Sequence, residues 1–485
     1  MASHLVTRTD IFINPDRARV LIRPFLPPTE QRIVKIIARL LALSEHEIEA
    51  LLQQVLTDFS GRHQKTRELF LERFERVRAY LVTDLKLSEA RQLVIGSYFT
   101  HEYSLEAAAL FNPSIVPHPD QSELAAGSLR FVLSLRATGE GHVSSITFRT
   151  GVIDAGNRIT INTPTRFVTE PHLVKDSVYD KSRFAQQLAE LGYGGEFTRR
   201  TLASLGPTFT LAELRGSVAI VQNQLGAVDP LQTQATSDAI VSHALSNYQV
   251  RFPADQRMSE RVIFPRSPTQ SNGIEDARFV WFRNEDGTGT YFATYTAYDG
   301  RTTYPQLLET KDFLDFTFTT LSGSAVQNKG MALFPRKVGG QYVMLSRQDN
   351  ENIFVMFSDD LHCWRRTTLI LKPTFAWEFV QLGNCGSPIE TERGWLVLSH
   401  GVGAMRKYSI GAFLLDRDDP TKVIGRLRDP LITPAEDERE GYVPNVVYSC
   451  GALLHGRELI VPYAVSDFAT RFATVSLDAL LTAME

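Results

Sequence analysis

The sequence predicts a mainly β protein: a β-propeller preceded by an N-terminal α-helical segment and interrupted by a helical insertion. Three observations predict it. Apolar residues before residue 111 follow a helical spacing, short alternating runs bounded by Gly, Asp and Asn follow it, and a unit of roughly fifty residues recurs in the C-terminal half.

From about Pro28 to Phe111 the pattern is helical, with Ile33, Ile36, Ile37, Leu40 and Leu41 on the three-and-four spacing of an amphipathic helix. Ser44 followed by Glu47 in SEHE is a capping-box signature that opens a second helix through Leu51, Leu52 and Val55. A third runs through Leu69, Phe70, Phe74, Val77 and Leu81, and a fourth follows Ser88. Residues 1–110 are therefore expected to be an N-terminal helical region, and residues 111–485 the sheet domain. The apolar faces of these helices must be covered, by the sheet domain or by a second copy of the chain, and a homodimer is the expectation.

After Asn112 the texture becomes that of strands, in LRFVLSL and SSITFRT. Helical texture returns between about Asp176 and Ser259, in FAQQLAELGY and TLAELRGSVAIVQNQL, which reads as an insertion before strands resume at FVWF. The repeat then emerges. GTYFATYTAYDG leads to LETKDFLDF as GQYVMLSRQDN leads to MFSDDLHCW, so Tyr291 corresponds to Tyr342 and Asp312 to Asp360. A third copy begins at RGWLVLSHGVG with Trp395, and a fourth is centred on ELIVPYAVSD. In a propeller the inner strands of different blades converge on a central channel, so distant sequence positions can form one site.

Composition excludes several classes. With 43% hydrophobic and 22% charged residues in 485, the chain has the make-up of a folded protein of enzyme size. A net charge of −4, from 51 basic and 55 acidic residues without long blocks, leaves no basic footprint for nucleic acid. MASHLVTRTDIFINPDR has no apolar h-region and no stretch approaches the roughly 18 apolar residues of a membrane span, so a cytoplasmic protein is expected. Cys363, Cys385 and Cys450 are widely spaced and read as reduced core thiols, and no zinc, EF-hand or H-E-x-x-H pattern is present.

The densest polar cluster is SNGIEDARFVWF, which sets Glu275, Asp276 and Arg278 just before an apolar strand. A carboxylate beside a guanidinium is ordinarily an ion pair with a lowered pKa, which opposes a role as proton donor. Against that bland reading, polar clusters recur at equivalent strand ends, in SRQDNEN, SHGVGAMRKY, GYVPNVVY and PYAVSD.

These clusters resemble glycoside hydrolase family 130, the inverting mannoside phosphorylases and mannosidases. The resemblance runs from about Phe111 to the C-terminus and is carried by FNPSI, GIEDARF, ALFPRKVGGQYVMLSR, WEFVQLGNCGSPIETERGWLVLSHGVG, YSIGAFLLDRDDPTKVIGR and GYVPNVVYSCG. It implies a five-bladed propeller, with Asp276 as the general acid whose proton travels through a sugar hydroxyl. It further implies that Asn112, Arg136 and Asp467 hold the sugar of the cleaved subsite, with Glu275, Arg278 and Tyr463 beside them. Arg301, Lys329, Arg347, His400 and Tyr408 are the implied phosphate binders, and Arg406 and Lys407 add positive charge. The implied substrate is a mannoside and the co-substrate inorganic phosphate, with no cofactor and no metal.

Water and phosphate make different demands on such a site. Inverting hydrolysis needs a second carboxylate to deprotonate water, whereas phosphate arrives anionic and needs cations and donors. Many phosphorylases of the family carry lysine in a K-I-G segment where this chain has Gln381, while Glu275, Glu378, Glu390 and Glu440 are candidate bases for water. The first reading is a phosphorylase of β-1,2-mannobiose or β-1,2-oligomannosides that releases α-mannose 1-phosphate. The alternative is an inverting exo-β-1,2-mannosidase, and a reading from another class is a sugar-binding propeller without catalysis.

Overall fold

The capping box at Ser44 forms as its residues dictate. Glu47 donates its backbone N–H to Ser44 Oγ at 3.3 Å, and the Ser44 N–H donates to the Glu47 carboxylate at 2.7 Å. Such a cap contributes about 1 kcal/mol to helix Glu45–Asp58. Ser88 caps helix Glu89–Tyr98 in the same way, accepting from the Arg91 N–H. With helices Glu30–Leu41 and Thr66–Val77 these elements bury Ile33, Ile37, Ile48, Phe70, Phe74 and Leu93 in one cluster. The apolar faces thus meet one another and form a core of their own.

This structure, a computed structural model, describes residues 2–59, 61–174, 177–225 and 230–484. It departs from the expected helical region at its start. Strand Val6–Ile13 pairs antiparallel with Ala469–Ser476, so the two ends of the chain close one sheet. Strand Val20–Pro24 pairs with Thr100–Ser104 on either side of the helices in sequence.

The remainder is mainly antiparallel sheet. Gly273–Arg283, Gly289–Tyr298, Thr303–Thr310 and Asp315–Thr320 pair in sequence order. So do Lys329–Leu333, Tyr342–Arg347, Ile353–Ser358 and Arg366–Leu371. Gln381–Asn384, Gly394–Val402, Tyr408–Leu415 and Val423–Arg426 repeat the plan. The sequence repeat has a physical register here: Tyr291, Tyr342 and Trp395 lie on second strands, and Asp312 and Asp360 follow third strands. Earlier in the chain Ala109–Pro117, Leu129–Thr138 and Ser144–Ile153 pair in order, and near its end Glu458–Val465 pairs with Ala469–Ser476.

The insertion packs helices Lys181–Glu190, Glu196–Ala203, Leu211–Leu225 and Pro230–Leu245 around Phe184, Leu188, Phe209 and Ile240. Its expected first residue, Asp176, lies outside the described residues. Its helices stop at Leu245 rather than continuing toward Ser259: Tyr248–Arg251 is a strand paired with Asp315–Thr320. The alternation in that strand, with Tyr248 and Val250 buried and Gln249 and Arg251 exposed, is the period-two signal that overrides helical texture. Cys363, Cys385 and Cys450 are buried free thiols. Among the described residues no helix is long and apolar enough to cross a membrane.

Candidate active site

Three first strands share one irregularity, and it builds the site. Pairing skips between Phe111 and Ser114, between Glu275 and Arg278, and between Lys329 and Ala332. At each skip one residue is left-handed: Asn112 at φ 48°, Asp276 at 53° and Gly330 at 85°. Asn, Asp and Gly are the residue types that tolerate this backbone, and a bulge re-aims the side chain beside it. Phe111 and Lys329, the residues before two of these skips, face Arg136 and Arg347 on the adjoining strands. Strand bulges thereby deliver carboxylate, amide and guanidinium groups from strands of one sheet, and Lys329 and Arg347 from a second, to one place.

The Asn112 amide donates to Asp276 Oδ1 at 2.7 Å, and Arg136 Nη1 donates to the same oxygen at 3.2 Å. Arg136 also donates from Nη2 to Glu275 at 2.9 Å and from Nε to Ser144 Oγ at 2.9 Å. Lys329 Nζ stands 3.7 Å from the other oxygen of Glu275. Asp467 occupies a left-handed turn with Ser466, at φ 49° and 48°, and the charges of Arg136, Asp276, Arg406 and Lys329 act on it.

The two aspartates are driven apart electrostatically. Burial opposes the charge of Asp276, but Arg136, then Arg278 and Lys329, together with the Asn112 amide, outweigh it and hold the carboxyl at about 2. Burial pushes Asp467 up to about 6, with Arg136 opposing and the Asp276 charge adding to the rise. One carboxylate is therefore firmly ionised, and its neighbour titrates just below neutrality.

Deeper in, Arg278 donates to the Tyr448 hydroxyl at 2.6 Å and to the Asp276 carbonyl at 3.2 Å. Arg347 Nη1 lies 3.1 Å from His400 Nε2, and His400 Nδ1 lies 3.1 Å from the Asn384 carbonyl. The carbonyl can only accept, so Nδ1 carries the proton and Nε2 accepts from Arg347. Burial, then Arg347 and Arg278, hold the His400 pKa well below its ordinary value, in keeping with this neutral tautomer. Gly383 makes room for the ring, since a Cβ there would stand 2.4 Å from His400 Cε1. Tyr408 stacks on His400 at 6.0 Å and Tyr448 meets it edge-on at 4.8 Å.

Asn112 Oδ1, Arg278 Nε and Arg347 Nε are buried without a protein partner among the described residues. A buried polar atom left dry costs about 1–3 kcal/mol, so hydrogen-bonding capacity is held in reserve where the cations converge. The arrangement can hold a polyhydroxylated ring against Asp276 and an anion against Arg278, Arg347 and Lys329.

Of the residues singled out from sequence, Asn112, Arg136, Glu275, Asp276, Arg278, Lys329, Arg347, His400, Tyr408 and Asp467 are brought together by these contacts and fields. Tyr463 is not. Its hydroxyl donates to Glu438 at 2.6 Å within a buried network that includes Arg471, because Tyr463 shares the core face of its strand with Leu459 and Val461. Arg301 is exposed in the turn after Tyr298, where its backbone N–H donates to Asp299, and no described contact joins it to the cluster. Among the candidate bases, only Glu275 belongs here. Glu378 is bound to Arg426 and to the backbone of Thr374 and Phe375, Glu390 is paired with Arg283 and Arg336, and Glu440 is exposed. Sequence reasoning misses Tyr448 and Asn384, although both fall inside segments that carry the resemblance, GYVPNVVYSCG and WEFVQLGNCGSPIETERGWLVLSHGVG.

A family model described as beta-1,4-mannooligosaccharide phosphorylase, of glycoside hydrolase family 130, matches residues 232–485. A 1,2-beta-oligomannan phosphorylase of a Thermoanaerobacter species is 35% identical over 234 residues, covering 47% of this chain and 75% of the relative. A beta-1,2-mannobiose phosphorylase of Listeria innocua is 32% identical over 233 residues, covering 46% of this chain and 63% of that protein. The solved structure of the Listeria innocua beta-1,2-mannobiose phosphorylase with beta-1,2-mannobiose aligns at a TM-score of 0.47 and 22% identity, over 78% of this chain and 92% of the other. The span matched by the family model begins after Asn112 and Arg136, so these two rest on geometry.

Proposed function

Because the chain belongs to glycoside hydrolase family 130, we propose that it is an inverting phosphorylase that cleaves β-mannosides, of the β-1,2-mannobiose or β-1,2-oligomannoside class, to α-mannose 1-phosphate. The observation that carries the reading is the meeting of an ionised Asp276, held by Asn112 and Arg136, with the buried cations Arg278 and Arg347, whose Nε groups have no protein acceptor among the described residues. We read the repeated antiparallel units, closed by the pairing of Val6–Ile13 with Ala469–Ser476, as the five blades of a propeller around this site.

In this reading Asn112, Arg136 and Asp467 fix the hydroxyls of the mannosyl ring, since amide and carboxylate groups each serve two hydroxyl contacts and guanidinium adds a planar fork. Phosphate sits against Arg278, Arg347 and Lys329, with His400 orienting Arg347 through its neutral Nε2. The charge balance resolves the difficulty posed by the low pKa of Asp276. A bound phosphate offsets Arg278 and Lys329, two of the cations that hold the carboxylate ionised, so its arrival raises the affinity of Asp276 for a proton. The proton then passes through a sugar hydroxyl to the leaving oxygen while phosphate attacks the anomeric carbon from the opposite face. The charged product is retained inside a cell, which fits a cytoplasmic enzyme.

Hydrolysis is the second reading, favoured by Gln381 where a cation would serve phosphate. It calls for a free base, and Glu275 is engaged by Arg136 and Lys329. Incubation with β-1,2-mannobiose in phosphate and in phosphate-free buffer separates the two. Mannose 1-phosphate formed only with phosphate supports the proposal, and equal free mannose from both buffers overturns it.

A further inference from the structure

Two exposed aromatic rings far apart in sequence meet at the rim of the site. The Tyr442 hydroxyl lies 3.0 Å from His142 Nδ1, and the rings stand 5.7 Å apart at 32°. Tyr442 is 50% exposed and His142 is exposed too, so burial does not explain the pairing. Both are anchored to residues of the cluster. Val443 donates to the Ser466 carbonyl at 2.9 Å, and a Cβ on Gly441 would stand 2.7 Å from Ser466, the neighbour of Asp467. His142 lies in the turn joining Leu129–Thr138, which carries Arg136, to Ser144–Ile153, whose Ser144 accepts from Arg136. That turn is clamped from outside the sheet: the Tyr103 hydroxyl is within 2.9 Å of the Glu140 carbonyl and 3.2 Å of the Val143 carbonyl. His142 itself is held left-handed, at φ 61°. Non-glycine residues held left-handed by their surroundings cluster at active sites and ligand clamps.

Depth gives the pair its place in the reaction. Arg278, Arg347 and His400 are 3%, 6% and 2% exposed, the Asp276 and Arg136 side chains 13% and 19%, and Tyr442 50%. In-line displacement puts nucleophile and leaving group on opposite sides of the anomeric carbon, so an anion at the deep end sends the leaving sugar outward, past the rim. A pyranose presents an apolar C–H face that packs on an aromatic ring, and a Tyr–His pair locked by a hydrogen bond offers such a ring at low entropic cost.

We propose that the Tyr442–His142 pair is the platform for the sugar on the leaving-group side, and that it sets the preference for a second mannosyl unit. The proposal rests on the mannoside reading of the site, but its test reads binding and not turnover. Wild type, Tyr442→Ala and Tyr442→Phe are titrated by calorimetry with mannose and with β-1,2-mannobiose. Wild type binds the disaccharide more tightly than mannose, Tyr442→Ala loses about tenfold in disaccharide affinity while its mannose affinity stays within about twofold, and Tyr442→Phe keeps most of the difference. Because Tyr442 is half-exposed, unchanged melting temperatures are expected for both variants. An undiminished preference for the disaccharide in Tyr442→Ala, a parallel fall in both affinities, or a wild type that binds the two sugars equally overturns the platform. Failure of phosphate-dependent cleavage in wild type overturns the phosphorylase reading alone, since the affinity difference is measured without turnover.

Discussion

Asn112 donates its side-chain amide to Oδ1 of Asp276 at 2.7 Å, across a separation of 164 residues. Both donor and acceptor sit at left-handed bulges in first strands, so the contact depends on two backbone irregularities being in phase. The consequence is a carboxylate with a fixed orientation, reached by Arg136 on the same oxygen. Asp276→Asn keeps the shape and removes both the proton and the charge. We expect turnover of β-1,2-mannobiose in phosphate to fall by about 10³-fold or more, within the range for loss of a general acid, with mannose binding retained. Loss of binding in parallel with turnover, measured by calorimetry on a folded variant, would assign Asp276 to holding the sugar instead.

The anion end makes a separate prediction, because Arg347 touches His400 and His400 touches the Asn384 carbonyl. Arg347→Ala removes a buried cation, and His400→Ala leaves that cation without the acceptor that aims it. Both variants should raise the KM for phosphate, Arg347→Ala by about a hundredfold and His400→Ala by about tenfold, with the KM for mannobiose changed less than about threefold. Equal rises in both KM values would mean that the pair supports the fold of the site and does not bind phosphate.

The cluster around Asp276 is legible because its polar residues are confined to short segments. GIEDARF, FNPSI and VSD each contain an Asp or Asn that occupies a left-handed position, at a bulge for Asp276 and Asn112 and in a turn for Asp467. The repeat is legible for the same reason that it folds: these second strands carry an aromatic ring at or near their start, at Tyr291, Tyr342 or Trp395, and those rings are buried or partly buried. The structure places Tyr463, four residues before Asp467, in the core and bonded to Glu438. Alternation along Glu458–Val465 puts Leu459, Val461, Tyr463 and Val465 on one core face, and the change of direction comes only at Ser466 and Asp467. Arg301 lies in the exposed turn after Tyr298, and the motif that precedes it does not fix how far its side chain stands from the cluster. The first strand, Val6–Ile13, was illegible from local pattern, since its partner lies at the opposite end of the chain.

Asp467 carries a pH signature. Its folded pKa of about 6 lies above the ordinary carboxylate value of about 3.9, so the folded protein binds more protons than the unfolded chain between those limits. The contribution of the neutral carboxyl to stability is therefore complete below about pH 4 and is lost as the pH rises through about 6, leaving a cost of about 3 kcal/mol at neutrality. Asp467→Asn removes the charge. The variant should melt above wild type at about pH 8 and at the same temperature near pH 4, while its activity falls for want of the carboxylate's hydroxyl contacts. A melting difference independent of pH, measured by calorimetry across that interval, would mean that the carboxyl is unperturbed.

Gln381 offers the last test, one of gain and not loss. It begins strand Gln381–Asn384, two residues before the glycine that lies against His400, so alternation puts its side chain on the same face as that contact. A neutral amide there supplies donors without charge, and the site already gathers Arg278, Arg347 and Lys329 around one carboxylate. Adding a cation raises the attraction for phosphate by a Coulomb term that is worth about 1–2 kcal/mol at this depth once screening is included. Gln381→Lys should therefore lower the KM for phosphate by about five- to tenfold at low ionic strength, with the advantage shrinking as salt is added. The same variant should leave the KM for mannobiose unchanged, because Asn112, Arg136 and Asp467 are untouched. An unaltered phosphate KM, or a rise in mannose release without phosphate, would show that residue 381 faces water's route to the sugar and would revive hydrolysis as the native reaction.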